Sequence, residues 1–167
     1  QSMSIRIVLT RPSHPGNIGS AARAMKTMGL RDLCLVAPER FPATEATVMA
    51  AGAQDVLDRV RVFPDVSGAV ADCGLVVGTT SRARHLPWRV LEPREAAAEI
   101  AVAATSSDVA VLFGAERTGL TNDELELCQR LLTIPTGSPY GSLNVAMAVQ
   151  VVAYEILLAT RAVADAA

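Results

Sequence analysis

The chain has 167 residues, half of them apolar but only 4% aromatic, and a formal net charge of −2. That length suits one domain with a substantial core, and a balance of 15 Lys and Arg against 17 Asp and Glu lacks the basic excess of many nucleic-acid binders. A core drawn from Ala, Val, Leu, Ile and Met favours helix-on-sheet packing over an aromatic-rich β-sandwich.

Residues 1–4, with Gln1-Ser2 ahead of Met3, are expected to be a tag remnant and lead, and nothing there resembles a signal peptide. Ile5 to Thr10 is a β-branched apolar run short enough for a buried strand. After the turn-rich Arg11 to Gly16, Asn17 is placed to cap a helix from Ile18 to Met28, which Gly29 would end. The pattern then predicts a strand over Leu33 to Val36, a helix over Thr44 to Ala53, a strand over Arg59 to Phe63, a helix over Val66 to Cys73 and a strand over Leu75 to Thr79. A helix from Arg94 to Ala104, a strand from Val109 to Phe113, a helix from Asn122 to Arg130 behind Thr121, and a strand from Leu131 to Ile134 follow. Ser142 then stands where the long apolar helix from Leu143 would be capped. Asn144, Gln150, Glu155 and Arg161 interrupt that helix, which argues for a soluble core element and against a membrane span.

Alternating strands and helices are the mark of an α/β fold with a mainly parallel sheet and helices on both faces. Ligands of such sheets sit at the carboxyl ends of the strands, where the Gly-rich and polar turns of this chain fall.

Cys34, Cys73 and Cys128 are far apart and form no C-x-x-C pair, so neither a zinc site nor a disulfide framework is expected and a reducing, cytoplasmic interior is the natural compartment. His14 and His85 are the only histidines and lack metal-ligand spacing, so no metal is expected. Lys26 is the only lysine, while Arg82, Arg84, Arg89 and Arg94 cluster around His85 and Trp88, a segment suited to phosphates and a stacked base as much as to a solvated loop.

Three stretches carry candidate chemistry. Asn17-Ile18-Gly19-Ser20-Ala21-Ala22-Arg23 puts an arginine within two turns of a helix start, where an RNA phosphate could meet amides and a guanidinium. It is neither a G-x-G-x-x-G fingerprint nor a Walker A loop. Phe113-Gly114-Ala115-Glu116-Arg117-Thr118-Gly119-Leu120 follows a strong strand, with glycines for close approach and Glu116 as an acceptor. Thr133 to Met147 joins a strand to a long helix through a loop shaped by Pro135, Gly137, Pro139 and Gly141, able to surround a flat ring such as a purine.

In this order and spacing, Asn17 with Arg23, Phe113-Gly114-x-Glu116-x-x-Gly119-Leu120 and Ser142-Leu143-Asn144-Val145 resemble the three motifs of the SpoU branch of the SPOUT RNA 2′-O-ribose methyltransferases. The likeness runs from Ile5 to about Leu158 and, through Gly16-Asn17-Ile18-Gly19, Arg23 to Leu30, Leu86-Pro87-Trp88 and Ser142 to Gln150, is nearest the bacterial members that methylate tRNA. It implies a methyltransferase domain over residues 5–160 with a deep C-terminal trefoil knot, an exception to the rule against threaded chains, and the start of a truncated C-terminal extension at 161–167.

It further implies S-adenosylmethionine as methyl donor, held by Thr79, Thr80, Ser81, Gly114, Ile134, Gly141, Ser142 and Leu143. Arg23 would take the catalytic position, with Asn17, Glu116, Ser142 and Asn144 ordering the site. Expected partners are tRNA, methylated in the anticodon loop at position 32, and a second subunit in a homodimer, with no membrane and no DNA. Ribosomal RNA is the nearest rival substrate, and a knotted RNA-binding protein without catalysis the rival class. The proton acceptor is left to a phosphate oxygen or water, because an arginine stays protonated.

Overall fold

The computed structural model describes residues 3–81, 89–137 and 143–167. Strand β1 (Ile5–Thr10) is followed by α1 (Pro15–Thr27), β2 (Asp32–Val36), α2 (Thr44–Ala50), α3 (Gln54–Asp58) and β3 (Arg61–Phe63). The second half runs α4 (Val66–Val70), β4 (Cys73–Thr79), β5 (Val90–Leu91), α5 (Pro93–Ala103), β6 (Asp108–Phe113), α6 (Asn122–Glu126), β7 (Arg130–Leu132) and α7 (Val145–Ala166). The strands form one sheet in the order β3-β2-β1-β6-β4-β7-β5, and every adjacent pair is parallel. The expected α/β architecture is therefore present.

Side-chain alternation divides the core in two. Ile7 and Leu9 of β1 join α1, α2, α5 and α7 on one face, while Val8 joins α4 and α6 on the other. The chain moves outward from β1 through β2 and β3, then crosses to β4 on the far side of β6. This reversal opens a crevice beyond the carboxyl ends of β1 and β6, the place where open parallel sheets bind ligands.

Several boundaries differ from the sequence pattern for identifiable reasons. Helix α1 starts at Pro15, whose missing N–H costs nothing there, with His14 at its N-cap position, so Asn17 is not a cap and sits inside the first turn. Gly29, at φ +82°, does end that helix as expected. The helix read as Thr44 to Ala53 stops at Ala50, where Ala51 turns the chain with φ +51°, and α3 follows a short 3-10 turn. The helix predicted to reach Cys73 ends at Val70, and Cys73 opens β4. Helix α6 keeps its Thr121 cap, reinforced by Glu124, but stops at Glu126 because Gln129 bonds both ways with Val76 and draws Arg130 into β7. Helix α7 begins at Val145, capped by Asn144, whose Oδ1 accepts from the Ala146 amide at 2.8 Å, and not by Ser142, which lies outside the described residues. It continues unbroken past residue 160.

Gly19 is the contact point of α1 and α2. A Cβ there would lie 2.1 Å from the Ala46 carbonyl oxygen and 2.8 Å from the Ala50 nitrogen. Gly19→Ala must push the two helices apart and is expected to lower stability by about 1–3 kcal/mol, read as a reduced midpoint in urea unfolding.

At the amino edge of the sheet, Arg6 is buried at 3% side-chain exposure among three carboxylates. Its guanidinium bonds Asp72 and the Ala69 carbonyl at 2.8 Å and Asp32 at 3.3 Å, and lies 3.7 Å from Asp108. Burial alone would lower the Arg6 pKa, but Asp72, Cys73 and Asp32 outweigh it and raise it. Burial also pushes the thiols of Cys34 and Cys73 up to about 11 and that of Cys128 to about 12, which leaves all three protonated and poorly nucleophilic at neutral pH.

Candidate functional site

Loops after β1, β6, β4 and β7 and the start of α7 enclose a cleft of about 1370 Å³ at the carboxyl edge of the sheet. Of the residues expected to hold a cofactor, Thr79, Thr80, Ser81, Gly114, Ile134 and Leu143 line it, while Gly141 and Ser142 fall outside the described residues. The Thr79 hydroxyl donates to the Leu112 carbonyl at 2.8 Å, and the Thr80 amide to the Leu132 carbonyl at 2.9 Å. These two residues thus fix the rim of the cleft by tying the end of β4 to its neighbours.

Gly114 makes the turn after β6 possible. Gly119, at φ +69°, folds the loop back so that its amide bonds the Ala115 carbonyl at 2.9 Å, and a Cβ on Gly114 would sit 2.3 Å from the Gly119 carbonyl carbon. Arg11 braces the same loop from β1, donating to the Gly119 carbonyl at 3.1 Å and pairing with Glu124. Gly114→Val is expected to open this turn and lower stability by about 1–3 kcal/mol, measured by urea unfolding, because the added atoms meet backbone with no room to yield.

The side chains of Asn17, Glu116 and Asn144, far apart in the chain, meet at the mouth of the cleft. Asn144 Nδ2 donates to Asn17 Oδ1 at 3.0 Å, and Asn17 Nδ2 donates to Glu116 Oε1 at 3.1 Å. The direction is set at both ends: Asn144 Oδ1 is occupied by the Ala146 amide, and the carboxylate can only accept. Glu116 also accepts from the Ser13 hydroxyl and lies 3.2 Å from His14 Nδ1. Burial pushes the Glu116 carboxyl up, but the bonds from Ser13, Asn17 and His14 outweigh it and hold it below the ordinary carboxylate value. The group is an anion that orders its neighbours.

Arg23 is not brought into this cluster. It is exposed, it does not line the cleft, and among the described residues its side chain makes no hydrogen bond or ion pair. It lies two helical turns beyond Gly16, on the stripe of α1 that carries Gly16 and Ser20 past the cleft. Arg82, Arg84, His85 and Trp88 fall outside the described residues. Ser13, His14 and Arg11, read from sequence as a plain connector, are site residues that pattern alone missed, since the only signal was a polar turn between a strand and a helix.

The switch-point cleft of this parallel sheet is thus edged by an Asn–Glu–Asn chain drawn from three separate segments. The chain belongs to the SpoU rRNA Methylase family, whose profile matches residues 4–154. It is similar to the tRNA (cytidine/uridine-2′-O-)-methyltransferase TrmJ of Sodalis glossinidius (strain morsitans), 52% identical over 156 residues, which cover 93% of this chain and 61% of that protein. Among solved structures it resembles a probable methylase family protein from Haemophilus influenzae Rd KW20, with TM-score 0.91 and 48% identity over 98% of this chain and 69% of that one. TrmJ from Z. mobilis ZM4 gives TM-score 0.86 and 43% identity over 95% and 70% of the two chains. The chain thus spans about three fifths of the length of the first of these relatives.

Proposed function

We propose that the protein is an S-adenosylmethionine-dependent tRNA 2′-O-ribose methyltransferase of the cytoplasm, acting in the anticodon loop at position 32. The observation that carries this reading is the Asn17–Glu116–Asn144 chain at the mouth of a cleft walled by Gly114 and the ends of β4 and β7. The cleft suits the methyl donor: Leu132, Ile134 and Leu143 offer an apolar wall for an adenine ring, and the strand ends beside it present main-chain groups. When bound, the donor supplies an electrophilic methyl on a sulfonium.

The chain's own residues supply alignment. A near-attack geometry removes on the order of 7–11 kcal/mol of barrier, which suits a site pinned by short hydrogen bonds to strand and helix ends. Arg23, exposed beyond the cleft lining, acts as a clamp on an RNA phosphate. A deep trefoil knot in the C-terminal part of the chain belongs to this reading. So does a homodimer. Met147, Val151, Tyr154 and Leu158 recur every three or four residues on the face of α7 opposite its buried Val149, Val152 and Ile156, with Met147 62% and Tyr154 47% exposed. Met147→Glu with Tyr154→Glu is expected to convert a dimer at micromolar concentration into a monomer in sedimentation analysis, while an unchanged dimer would place the interface elsewhere.

Ribosomal RNA is the rival substrate, and the names carried by relatives at 51–52% identity favour tRNA. A non-catalytic binding protein would be expected to have lost a motif residue, whereas Asn17, Glu116 and Asn144 are present and joined. The test is incubation with methyl-labelled S-adenosylmethionine and either bulk tRNA or rRNA, followed by nucleoside analysis. Label on a tRNA ribose is the expected result; label only in rRNA would reassign the substrate.

A further inference from the structure

Resting on the reading just given, one question of chemistry stays open: which group takes the proton of the ribose hydroxyl. His14 stands at the start of α1 on the wall shared by the main cleft and a smaller adjoining cavity of about 470 Å³, whose other walls include Arg11, Ser13, Glu39 and Arg117. Its side chain is 72% exposed, so a bound nucleotide can reach it.

The protonation pattern of the ring follows from its partners. His14 Nδ1 lies 3.0 Å from Ser13 Oγ and 3.2 Å from Glu116 Oε2. Ser13 has one hydroxyl hydrogen, and it is given to Glu116. Toward Nδ1 the serine oxygen can then only accept, and the Glu116 anion can only accept. In the neutral ring Nδ1 therefore carries the hydrogen and Nε2 the lone pair. Among the described residues Nε2 has no hydrogen-bond partner. A histidine with one nitrogen held by a carboxylate and the other bare toward a pocket is the arrangement of an oriented general base.

We infer that His14 Nε2 accepts the proton of the 2′-hydroxyl, with the acceptor nucleotide seated in the smaller cavity against Arg117. In the step, the O–H bond breaks and its proton passes to Nε2 as the ribose oxygen forms a bond to the methyl carbon. The bond from that carbon to sulfur breaks, its electron pair remains on sulfur, and a neutral thioether leaves. Ser13, Glu116 and Asn17 are positioning residues in this scheme, since they act through the ring and the carboxylate that holds it.

The test has two readouts. The chain has two histidines, so ring nitrogen resonances of ¹⁵N-histidine-labelled protein can be assigned with the His14→Gln variant. In its neutral form the His14 ring is expected as the Nδ1–H tautomer, moving to the Nε2–H form in Glu116→Ala; a neutral Nε2–H ring in the wild type would overturn the inference. In single-turnover transfer to tRNA, His14→Gln is expected to be slower by at least 100-fold, with S-adenosylhomocysteine affinity within twofold of wild type and an unchanged melting temperature. Wild-type transfer with His14→Gln within threefold of it sinks this inference alone. A wild type that transfers nothing to any RNA overturns the enzyme reading and this inference with it.

Discussion

Arg23→Ala is expected to lower methyl transfer to tRNA by about 100-fold while leaving S-adenosylhomocysteine affinity within about twofold, the loss typical of a substrate no longer held in line with the reacting group. Its position explains the split. The guanidinium projects from the exposed stripe of α1 beyond Gly16 and Ser20, outside the cleft lining and without an intramolecular partner among the described residues. It holds no part of the fold and none of the donor pocket, so its removal deprives only the RNA. Arg23→Lys keeps the charge but not the planar fork, and is expected to recover only part of the rate. Calorimetry and single-turnover assays side by side decide the matter: equal loss of donor affinity and rate would remove the phosphate-clamp role.

Arg6→Met is expected to destabilise the protein by about 3–5 kcal/mol, measured by urea unfolding, because it leaves the half-buried Asp32 and Asp108 and the exposed Asp72 without their shared cation. Asp32 keeps Arg61 at 3.0 Å, and Asp72 is mostly exposed, so the lower end of that range applies. Adding Asp108→Asn should recover part of the loss, since the most enclosed of the orphaned charges is then gone. The acid limb carries a second signature. Arg6 hydrogen-bonds Asp72 and holds its carboxyl below the ordinary value, the small burial cost notwithstanding. A depressed carboxylate pKa contributes stability above the unfolded value, near pH 4, and that contribution fades as pH falls through the folded value. Wild type should therefore lose stability below about pH 4 more steeply than Arg6→Met.

The sequence made some of this legible and hid the rest for physical reasons. Strands β1 and β6 could be read because apolar, β-branched runs of that length have few other fates. Strand β5 could not: Val90 and Leu91 are a strand only because β7 lies beside them, a fact of tertiary pairing. The start of α1 was misplaced by giving Asn17 the capping role when Pro15 already opened the helix, and that error hid the freedom of Asn17 to reach Glu116. Glu116 and Asn144 stood out as polar residues in motif positions. His14 did not, because its significance lies in a carboxylate 102 residues away and in a serine whose single hydrogen is already committed. Arg23 shows the converse, being prominent in sequence yet apart from the cluster it was expected to join.

The most direct measurement is a titration of S-adenosylhomocysteine into ¹⁵N-labelled protein with backbone amides followed by NMR. Saturable shifts concentrated at Thr79 to Ser81, Gly114 to Glu116, Ile134 and Leu143 are predicted, since turns remote in the chain must respond together if they hold one adenosine. Shifts gathered instead around Arg6 and the amino edge of the sheet, or no saturable shift at all, would contradict the account.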